Sequence, residues 1–397
     1  MRSVLFCNEM LGLGHLRLSL ALARALVEQD DRATTLVVTG SPAFAGMRLP
    51  PRVDLLKLPS PPVGSDSQWS VTPLRTRSGL ALGEHEASGL RSAVSLAAVQ
   101  QFDPEVAVVD YRPLGRGGDI RPALEWLRRR GECTVALGLW EVDDVGERFH
   151  AVWTPEVLSA LAKLYDMALV YGEPTEDDPR VQTLHDAGIP VHVTDLVAAP
   201  PGTDPPADLP SSYLLVTGGG GVDSFPVLEA VLAAIRLRAI ALPTVIVAGP
   251  MMATEQVARL RTLAAGLDAQ IEEFRPDMEA VLAGARAVVS MAGYCTVAEI
   301  LASGKPSLLV PRGFPREEQL ARARRLAAAG RVLLIEPARL NPERLRLEMD
   351  QLLERAPAAA PRPAGAAEAA AILQRSREEQ ATAQAGLRTR GGSPNSV

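Results

Sequence analysis

The chain has 397 residues, which is too long for a single core and is the length of about two domains. Hydrophobic residues make up 47% of it, which supports packed cores. Its 41 basic and 47 acidic side chains leave a formal charge of −6. This charge argues against a nucleic-acid partner, because such a partner requires a basic surface. No apolar run reaches the roughly 20 residues that span a bilayer.

The three cysteines, Cys7, Cys133 and Cys295, lie in or beside apolar runs and lack the spacing of a metal site. Their odd number and apolar surroundings favour reduced, buried thiols over disulfides. The sequence begins directly with a predicted strand rather than with a leader peptide, so we expect a cytoplasmic protein. We expect no metal site and no transmembrane segment, whereas peripheral contact with a membrane stays an open alternative that no motif supports. We expect a monomer or a homodimer.

Apolar strand-like runs alternate with amphipathic helical stretches through the first half of the chain. This alternation is typical of parallel sheets that are covered by helices. The predicted strands of this half are residues 4–7, 35–38, 53–58, 106–109, 134–137 and 167–170. We therefore predict a doubly wound α/β domain over residues 1–198.

The stretch AAPPGTDPPADLPSS is rich in proline and small polar residues, and it predicts a linker over residues 199–212. The same strand and helix pattern then restarts, which predicts a second doubly wound domain over residues 213–355. Its predicted strands are residues 213–216, 244–247, 270–273, 287–289, 307–310 and 332–335.

The remaining residues, 356–397, are rich in Ala, Pro and Arg. Within them, Ala366 to Gln384 predicts a helix that packs back on the first domain. The final residues, Thr389 to Val397, are predicted to be disordered.

A loop with two glycines, Gly12 and Gly14, follows the first predicted strand and precedes a helix predicted over residues 16–28. The glycine spacing is not the dinucleotide-binding fingerprint. His15 stands at the helix start. It is either a capping or packing residue or, because histidine titrates near neutral pH, a candidate general base.

Asp110 ends a predicted buried strand and therefore points to the same edge of the sheet as His15. It is a second candidate base, an orienter of an acceptor group, or simply a turn residue. The glycine run from Gly218 to Gly221 follows the first strand of the second half. Four glycines leave no side chain to block approach, which favours backbone contact with a phosphate or a sugar over a merely flexible turn.

Residues 290–319, SMAGYCTVAEILASGKPSLLVPRGFPREEQ, predict a strand end, a turn at Gly293 and a helix that Thr296 caps and Gly304 stops. An anion at this helix start would meet unpaired backbone N–H groups and the positive end of the helix dipole. Glu299 lies about one turn further in, where an ionised carboxylate is suited to accept two hydrogen bonds from ribose hydroxyls. The segment therefore predicts a nucleotide pocket.

The next predicted strand ends before Arg312, and Glu318 and Gln319 follow shortly afterwards. Cationic and amide donors are thereby placed at the carboxyl end of a strand, where open α/β sheets bind ligands.

These motifs resemble those of the GT-B glycosyltransferases, in particular the group that contains the N-acetylglucosaminyltransferase of lipid II synthesis and a related set of bacterial predicted glycosyltransferases. The resemblance covers most of residues 1–355 and implies two Rossmann-like domains that face a cleft. The motifs that carry it are Gly12 to Arg17, Asp110 to Pro113, Phe274 to Met278, Ser290 to Tyr294, Glu299, Pro311 to Arg312 and Pro315 to Gln319. The segment Trp140 to Val142 departs from the family pattern.

The resemblance also implies roles for individual residues. His15 is the implied base, with Asp110 as the alternative, and the residues on the acceptor side are Gly12, Gly14 and Arg17, the last of which is otherwise a solvated side chain. Arg275 is either a donor ligand or an ion-pair partner of Glu273 or Asp277. The full expected donor-binding set is Gly218, Gly219, Gly220, Phe274, Arg275, Ala292, Gly293, Tyr294, Glu299, Arg312, Glu318 and Gln319.

The activity that the resemblance implies is transfer of a sugar from a UDP-, GDP- or dTDP-sugar to an acceptor hydroxyl or amine. The transfer is expected to invert the anomeric carbon and to need no metal or other cofactor. The alternatives are a nucleotide-sugar hydrolase, a 2-epimerase, and an inactive sugar-nucleotide-binding protein. The base, the sugar and the acceptor are not specified by these motifs.

Overall fold

The computed structural model describes residues 1–7, 13–59, 82–142, 147–313, 317–358 and 363–391. In this part of the chain, two parallel sheets are each covered by helices on both faces. Apolar residues fill both faces of each sheet, which explains why most central strands are continuous apolar runs rather than alternating ones.

The first sheet has seven strands in the order β3-β2-β1-β4-β5-β6-β7, all parallel. Its elements are β1 Arg2–Cys7, α1 Gly14–Glu28, β2 Thr34–Thr39, β3 Val53–Lys57, α2 Glu84–Phe102, β4 Val106–Asp110, α3 Arg121–Arg130, β5 Thr134–Trp140, α4 Glu147–Val152, α5 Pro155–Leu164, β6 Met167–Tyr171, α6 Pro179–Asp186 and β7 Val191–Thr194. The six predicted strands of this half are all present, and β7 is a strand that the sequence did not predict.

The second sheet has six strands in the order β10-β9-β8-β11-β12-β13, again all parallel. Its elements are β8 Tyr213–Thr217, α7 Phe225–Leu237, β9 Thr244–Val247, α8 Thr254–Ala264, β10 Ala269–Glu272, α9 Met278–Gly284, β11 Ala285–Ser290, α10 Tyr294–Ser303, β12 Ser307–Leu309, α11 Glu318–Ala328, β13 Leu333–Leu334 and α12 Pro342–Glu354.

The last helix, α13 Gly365–Gly391, follows the second domain in sequence but packs against α1 of the first domain. Ala369, Ala370 and Leu373 are fully buried there. The helix predicted for this region is therefore present. Thr389 to Gly391, for which we predicted disorder, belong to its last turn, so that prediction was wrong for these three residues; residues 392–397 lie outside the described part of the chain.

The strand orders place both candidate sites. In the first sheet the order reverses between β1 and β4, and in the second between β8 and β11. Open parallel sheets bind ligands at the carboxyl ends of strands where the order reverses. His15 lies at the start of the helix after β1, and Asp110 ends β4, whereas the loops after β8 and β11 carry the glycine run and Gly293.

None of the helices in the described residues is both long and apolar enough to cross a bilayer.

Candidate active site

His15 and Asp110 form a buried pair at the edge of the first sheet. His15 lies in the first turn of α1, and Asp110 is the last residue of β4. Nδ1 of His15 is 2.5 Å from a carboxylate oxygen of Asp110, and each side chain is only 5% exposed. A carboxylate at Nδ1 fixes the orientation of the ring and leaves Nε2 as the nitrogen that can exchange a proton with a substrate. The two predicted candidate bases are therefore one unit.

Tyr111, the next residue after β4, has φ of 67°, in the left-handed region that non-glycine residues rarely occupy. Its ring centre lies 5.6 Å from that of His15, and the guanidinium of Arg112 lies 5.8 Å from the Tyr111 ring centre. Strain of this kind persists only where surrounding contacts over-determine the backbone, and it concentrates at functional sites.

Trp140, at the end of β5, covers one face of His15. The two ring centres are 4.1 Å apart and the planes are inclined by 20°. The other neighbour of Trp140 is Tyr294, the first residue of α10, at 5.3 Å and 12°. The stack therefore runs from the candidate base to the start of a helix in the second domain. Among the described residues, none accepts a hydrogen bond from the buried indole N–H of Trp140.

Beside the stack, a buried ion pair joins the two domains. Arg322 of α11 contacts Glu141 at 2.5 Å, with 2% and 1% of the side chains exposed, and it also donates to the carbonyl oxygen of Ala292 at 3.0 Å. The hydroxyl of Tyr294 accepts a hydrogen bond from the N–H of Val197 at 2.8 Å. Sequence reasoning missed Trp140, Glu141 and Arg322. The signal available to it was the departure from the family pattern at Trp140 to Val142.

The start of α10 is accessible next to this stack. Gly293 is its N-cap residue, so Thr296, which we predicted as the cap, is instead the third residue of the helix. Apart from Gly293 and its two chain neighbours, no described residue has an atom within 4 Å of the position that a Cβ of Gly293 would occupy. Gly293 and Thr296 are half-buried. The first turn of an α-helix leaves N–H groups without intrahelical partners. An anion can therefore approach the backbone here.

The glycine run lies beside the same helix start. A Cβ at Gly219 would lie 3.6 Å from the hydroxyl oxygen of Thr296. Local packing requires glycine at positions 218 and 221. A Cβ at Gly218 would come within 2.1 Å of the Ser224 hydroxyl oxygen, and a Cβ at Gly221 would come within 2.8 Å of the Ala248 carbonyl oxygen. Gly220 accepts a hydrogen bond from a backbone N–H in the loop after β9. The run thus serves both the packing of the loop and an open approach to α10.

Glu299, predicted to bind ribose, contacts Arg17 across the cleft. One guanidinium nitrogen of Arg17 is 2.7 Å from Glu299 and 3.2 Å from Glu279 of α9. The Glu299 side chain is 11% exposed. Burial raises the pKa of Glu299 to about 7, against the opposing effect of Arg17. Arg17 is therefore not a solvated surface residue; it bridges the two domains.

A cavity of about 330 Å³ opens beside Glu299. It is lined by residues 199–203 of the connection between the two sheets, by Glu279 and Leu282 of α9, and by Ser303 and Lys305 at the end of α10. This volume lies within the usual size range of small-molecule pockets, about 300–1,000 Å³.

Phe274 and Arg275 follow β10. Arg275 is held by Asp277, at 2.8 and 2.9 Å, and by Asp208, at 2.5 and 3.2 Å. Of the two partners that the sequence suggested, Asp277 is present, whereas Glu273 pairs with Arg261. Phe274 packs closely against Gly46 of the first domain, where a Cβ would come within 2.5 Å of the ring.

Arg312 lies between two carboxylates of the second domain. It contacts Asp223, in the loop after the glycine run, at 2.7 Å, and Glu318 of α11 at 2.5 Å. Its backbone N–H is 3.5 Å from the side-chain oxygen of Gln319. The structure thus brings these three predicted donor residues together.

Of the two predicted acceptor-side glycines, Gly14 lies at the start of α1. Gly14 packs against Trp140, and its carbonyl oxygen accepts a hydrogen bond from the thiol of Cys295 at 3.0 Å. Gly12 lies outside the described residues.

Within the described ranges, no three His, Cys, Asp or Glu side chains converge in a way that could hold a metal ion.

Residues 213–376 match the glycosyltransferase family 28 C-terminal domain. The chain is also similar to curated UDP-N-acetylglucosamine–N-acetylmuramyl-(pentapeptide) pyrophosphoryl-undecaprenol N-acetylglucosamine transferases. With the protein of Rhodopseudomonas palustris (strain HaA2) it shares 28% identity over 342 residues, 85% of this chain and 86% of the relative. With that of Nitrosococcus oceani it shares 44% identity over 92 residues, which is 22% of this chain but only 25% of the relative.

Among solved structures, MurG of Acinetobacter baumannii is similar with a TM-score of 0.54 and 15% identity, covering 94% of this chain and 99% of that one. This likeness concerns the fold. Together with the match of the C-terminal half, it confirms the predicted GT-B architecture and the predicted resemblance. The chain therefore has the two-domain GT-B fold, and its residues 213–376 match the glycosyltransferase family 28 C-terminal domain.

Proposed function

We propose that the chain transfers a sugar from a nucleoside diphosphate sugar to an acceptor hydroxyl or amine, with inversion and without a metal. The observation that carries the proposal is the placement of the buried His15–Asp110 pair across the cleft from the open start of α10. One domain thus supplies a group that accepts a proton, and the other supplies backbone donors for a diphosphate.

On the donor side, the diphosphate lies at the start of α10, where Gly293 leaves space and the glycine run approaches. Helix N-termini bind phosphate because unpaired N–H groups and the helix dipole both favour negative charge. The ribose hydroxyls bind Glu299, and the nucleoside extends into the 330 Å³ cavity beside it. Because Arg17 contacts Glu299, a ribose bound to Glu299 displaces or shares this contact.

The hexose lies near Glu318 and Gln319. As the bond between sugar and diphosphate breaks, negative charge grows on the departing diphosphate. The N–H groups of α10 stabilise that charge, and Arg312, which Asp223 and Glu318 hold close to the glycine run, adds a cation to the same region.

On the acceptor side, Nε2 of His15 removes the proton of the attacking hydroxyl. Asp110 keeps the ring oriented through Nδ1 and stabilises the imidazolium that forms, so it acts through His15 rather than as a separate base. The acceptor oxygen attacks the anomeric carbon from the face opposite the diphosphate, which inverts that carbon.

The proposal is tested by incubating the purified protein with UDP-, GDP- and dTDP-sugars, with and without candidate acceptors. The substrates named for the relatives, UDP-N-acetylglucosamine and an undecaprenyl-pyrophosphoryl acceptor, are the first to include. We expect nucleoside diphosphate release only when a suitable acceptor is present. Rapid release of free sugar without acceptor would instead indicate a hydrolase, an isomerised donor a 2-epimerase, and binding without any turnover an inactive binding protein.

A further inference from the structure

We propose that Trp140 is a positioning residue that makes the placement of His15 dependent on closure of the two domains. This inference rests on the proposed role of His15 as the base. It concerns how the base is held and regulated, since Trp140 contacts the imidazole rather than the reacting atoms.

Asp110 contacts the imidazole at one edge, through Nδ1. Trp140 contacts its face, because the indole lies against the ring with the two centres 4.1 Å apart. Offset stacking of this kind is favourable beyond the area that it buries.

The first domain holds the backbone of Trp140, whereas its indole lies between His15 and Tyr294. Its carbonyl oxygen accepts a hydrogen bond from Arg180 at 2.8 Å, and Arg180 is in turn fixed by Asp178, whose carboxylate lies 2.9 Å from the guanidinium Nε. Both charged side chains are almost fully buried, at 2% and 4% exposed. The end of β5 is therefore placed by a buried ionic support and not by a mobile loop.

The second domain covers the outer face of Trp140. Tyr294 stacks on it at 5.3 Å, and the adjacent residue, Glu141, forms the buried ion pair with Arg322. The guanidinium carbon of Arg322 lies 5.6 Å from the centre of the Tyr294 ring. If the domains separate, Trp140 loses its outer neighbour and Glu141 loses its counter-charge together. Trp140 is thus packed on both faces only while α10, the helix at which we place the donor diphosphate, is seated against it. Closure of the domains thereby keeps the indole against the imidazole.

The kinetic test compares three variants. For Trp140→Ala we expect kcat to fall about 10- to 100-fold, because misplacement of a catalytic group by about 1 Å has an effect of that size, while the KM for the donor stays unchanged. Trp140→Phe retains a flat ring and should recover most of the turnover. Trp153→Phe is the matched control: Trp153 is buried in the same domain and stacks on Phe149 at 5.7 Å, so this variant should leave both kcat and KM unchanged.

The second test needs neither a substrate nor turnover. The sequence has four tryptophans, so replacing Trp69, Trp126 and Trp153 by Phe leaves Trp140 as the single fluorophore. In that background, Glu141→Gln breaks the interdomain ion pair, and we expect the emission of Trp140 to shift to longer wavelength as its outer face becomes hydrated. Arg322→Lys serves as a second, milder variant if Glu141→Gln does not fold.

The two tests separate the failure of this inference from the failure of the proposed function. A wild-type protein without transferase activity overturns the proposed function, and the fluorescence test still decides whether closure covers Trp140. Unchanged emission in the ion-pair variants overturns the coupling even when transfer proceeds. An equal loss of turnover in Trp140→Ala and Trp140→Phe, or a rise in donor KM without a fall in kcat, overturns the positioning role.

Discussion

At the scale of single residues, the contact between Asp110 and Nδ1 of His15 decides which nitrogen can act. His15 lies in the first turn of α1, which follows β1, and Asp110 ends β4, and these two strands are hydrogen-bonded neighbours. Two residues 95 positions apart are therefore brought to 2.5 Å by sheet topology alone. Their burial excludes water, which strengthens the interaction of the carboxylate with a positively charged imidazole.

His15→Ala should lower kcat by about 10²- to 10⁴-fold, the usual contribution of a general base, while donor affinity stays within a factor of about two. Asp110→Asn should lower kcat in the same direction, because an amide can donate to Nδ1 and leave the proton on Nε2. Steady-state kinetics and donor titration check both variants. His185→Ala, which alters an exposed histidine of α6, is the control and should behave as wild type. Normal turnover by His15→Ala would rule out its role as base.

Donor binding should depend on pH through Glu299. Burial raises the pKa of this carboxyl to about 7, so the group is mostly ionised at pH 8 and mostly protonated at pH 6. The ionised form accepts hydrogen bonds from both ribose hydroxyls, and protonation removes acceptor capacity. Donor affinity should therefore fall about tenfold from pH 8 to pH 6, the ratio of the ionised fractions.

The control for this pH effect is Glu299→Gln, which keeps the shape of the side chain and removes its titration. Its donor affinity, measured by calorimetry, should be lower than that of wild type at pH 8 and nearly constant down to pH 6. A pH dependence that persists in Glu299→Gln would assign the effect to another group.

At the scale of elements, the loop after β8 packs backbone to backbone against the loop after β9, and it also lies beside the start of α10, which follows β11. Some glycines of these loops are required by backbone conformation and packing, whereas others are not. Gly221 has φ of 94°, and its Cβ would lie 2.8 Å from two carbonyl oxygens, so its glycine is required by the fold. Gly293 has φ of −63° and open space around it, so the fold places no such demand on it.

The two glycines should therefore respond differently to alanine. Gly221→Ala should destabilise the chain by about 1–3 kcal/mol through overpacking and backbone strain. Gly293→Ala should cost no more than about 1 kcal/mol, the typical penalty at an N-cap, but should weaken binding of a nucleoside diphosphate at least about tenfold because the methyl group stands where the phosphate lies. Denaturant unfolding and nucleotide titration measure the two effects. If Gly293→Ala binds as tightly as wild type, the diphosphate lies elsewhere.

The elements also show which parts of the fold the sequence could predict. The twelve predicted strands are all present, because a strand that is buried on both faces is a continuous apolar run. β7 was missed because it is a four-residue edge strand, VHVT, with only Thr194 buried, so it has no such run. The helix start at Gly293 was predicted from its glycine, but Thr296 was wrongly taken as the cap, since a threonine three residues later fits the same sequence signal.

The candidate site was predictable to the extent that its residues lie at strand ends, at helix starts or in the first turns that follow. His15, Asp110, Glu299 and Gln319 were all predicted from such places and from the resemblance, and their roles stay predictions. The contacts between them were not, because sequence spacing says nothing about which loops meet across a cleft. Trp140, Glu141 and Arg322 escaped for the same reason. Each is ordinary in its own segment, and its importance arises only where the two domains touch.

At the scale of the whole molecule, the two domains are joined by more than the connecting segment. Ion pairs from Arg17 to Glu299 and from Glu141 to Arg322 cross the cleft in addition to the aromatic stack. The C-terminal helix adds a third tie, since α13 follows the second domain in sequence and packs on the first. Its buried face meets α1, the helix that carries His15.

Leu373→Ala tests whether α13 is an integral part of the first domain. Leu373 is fully buried, and truncating such a leucine costs about 2–5 kcal/mol through lost transfer free energy and the cavity that remains. Denaturant unfolding should show that loss. Leu347→Ala, at a leucine of α12 that is 56% exposed, should change the free energy of unfolding by no more than about 0.5 kcal/mol. If both variants unfold alike, α13 is not seated on α1 in solution, and the start of α1 with its histidine is supported by the first sheet and the domain interface alone.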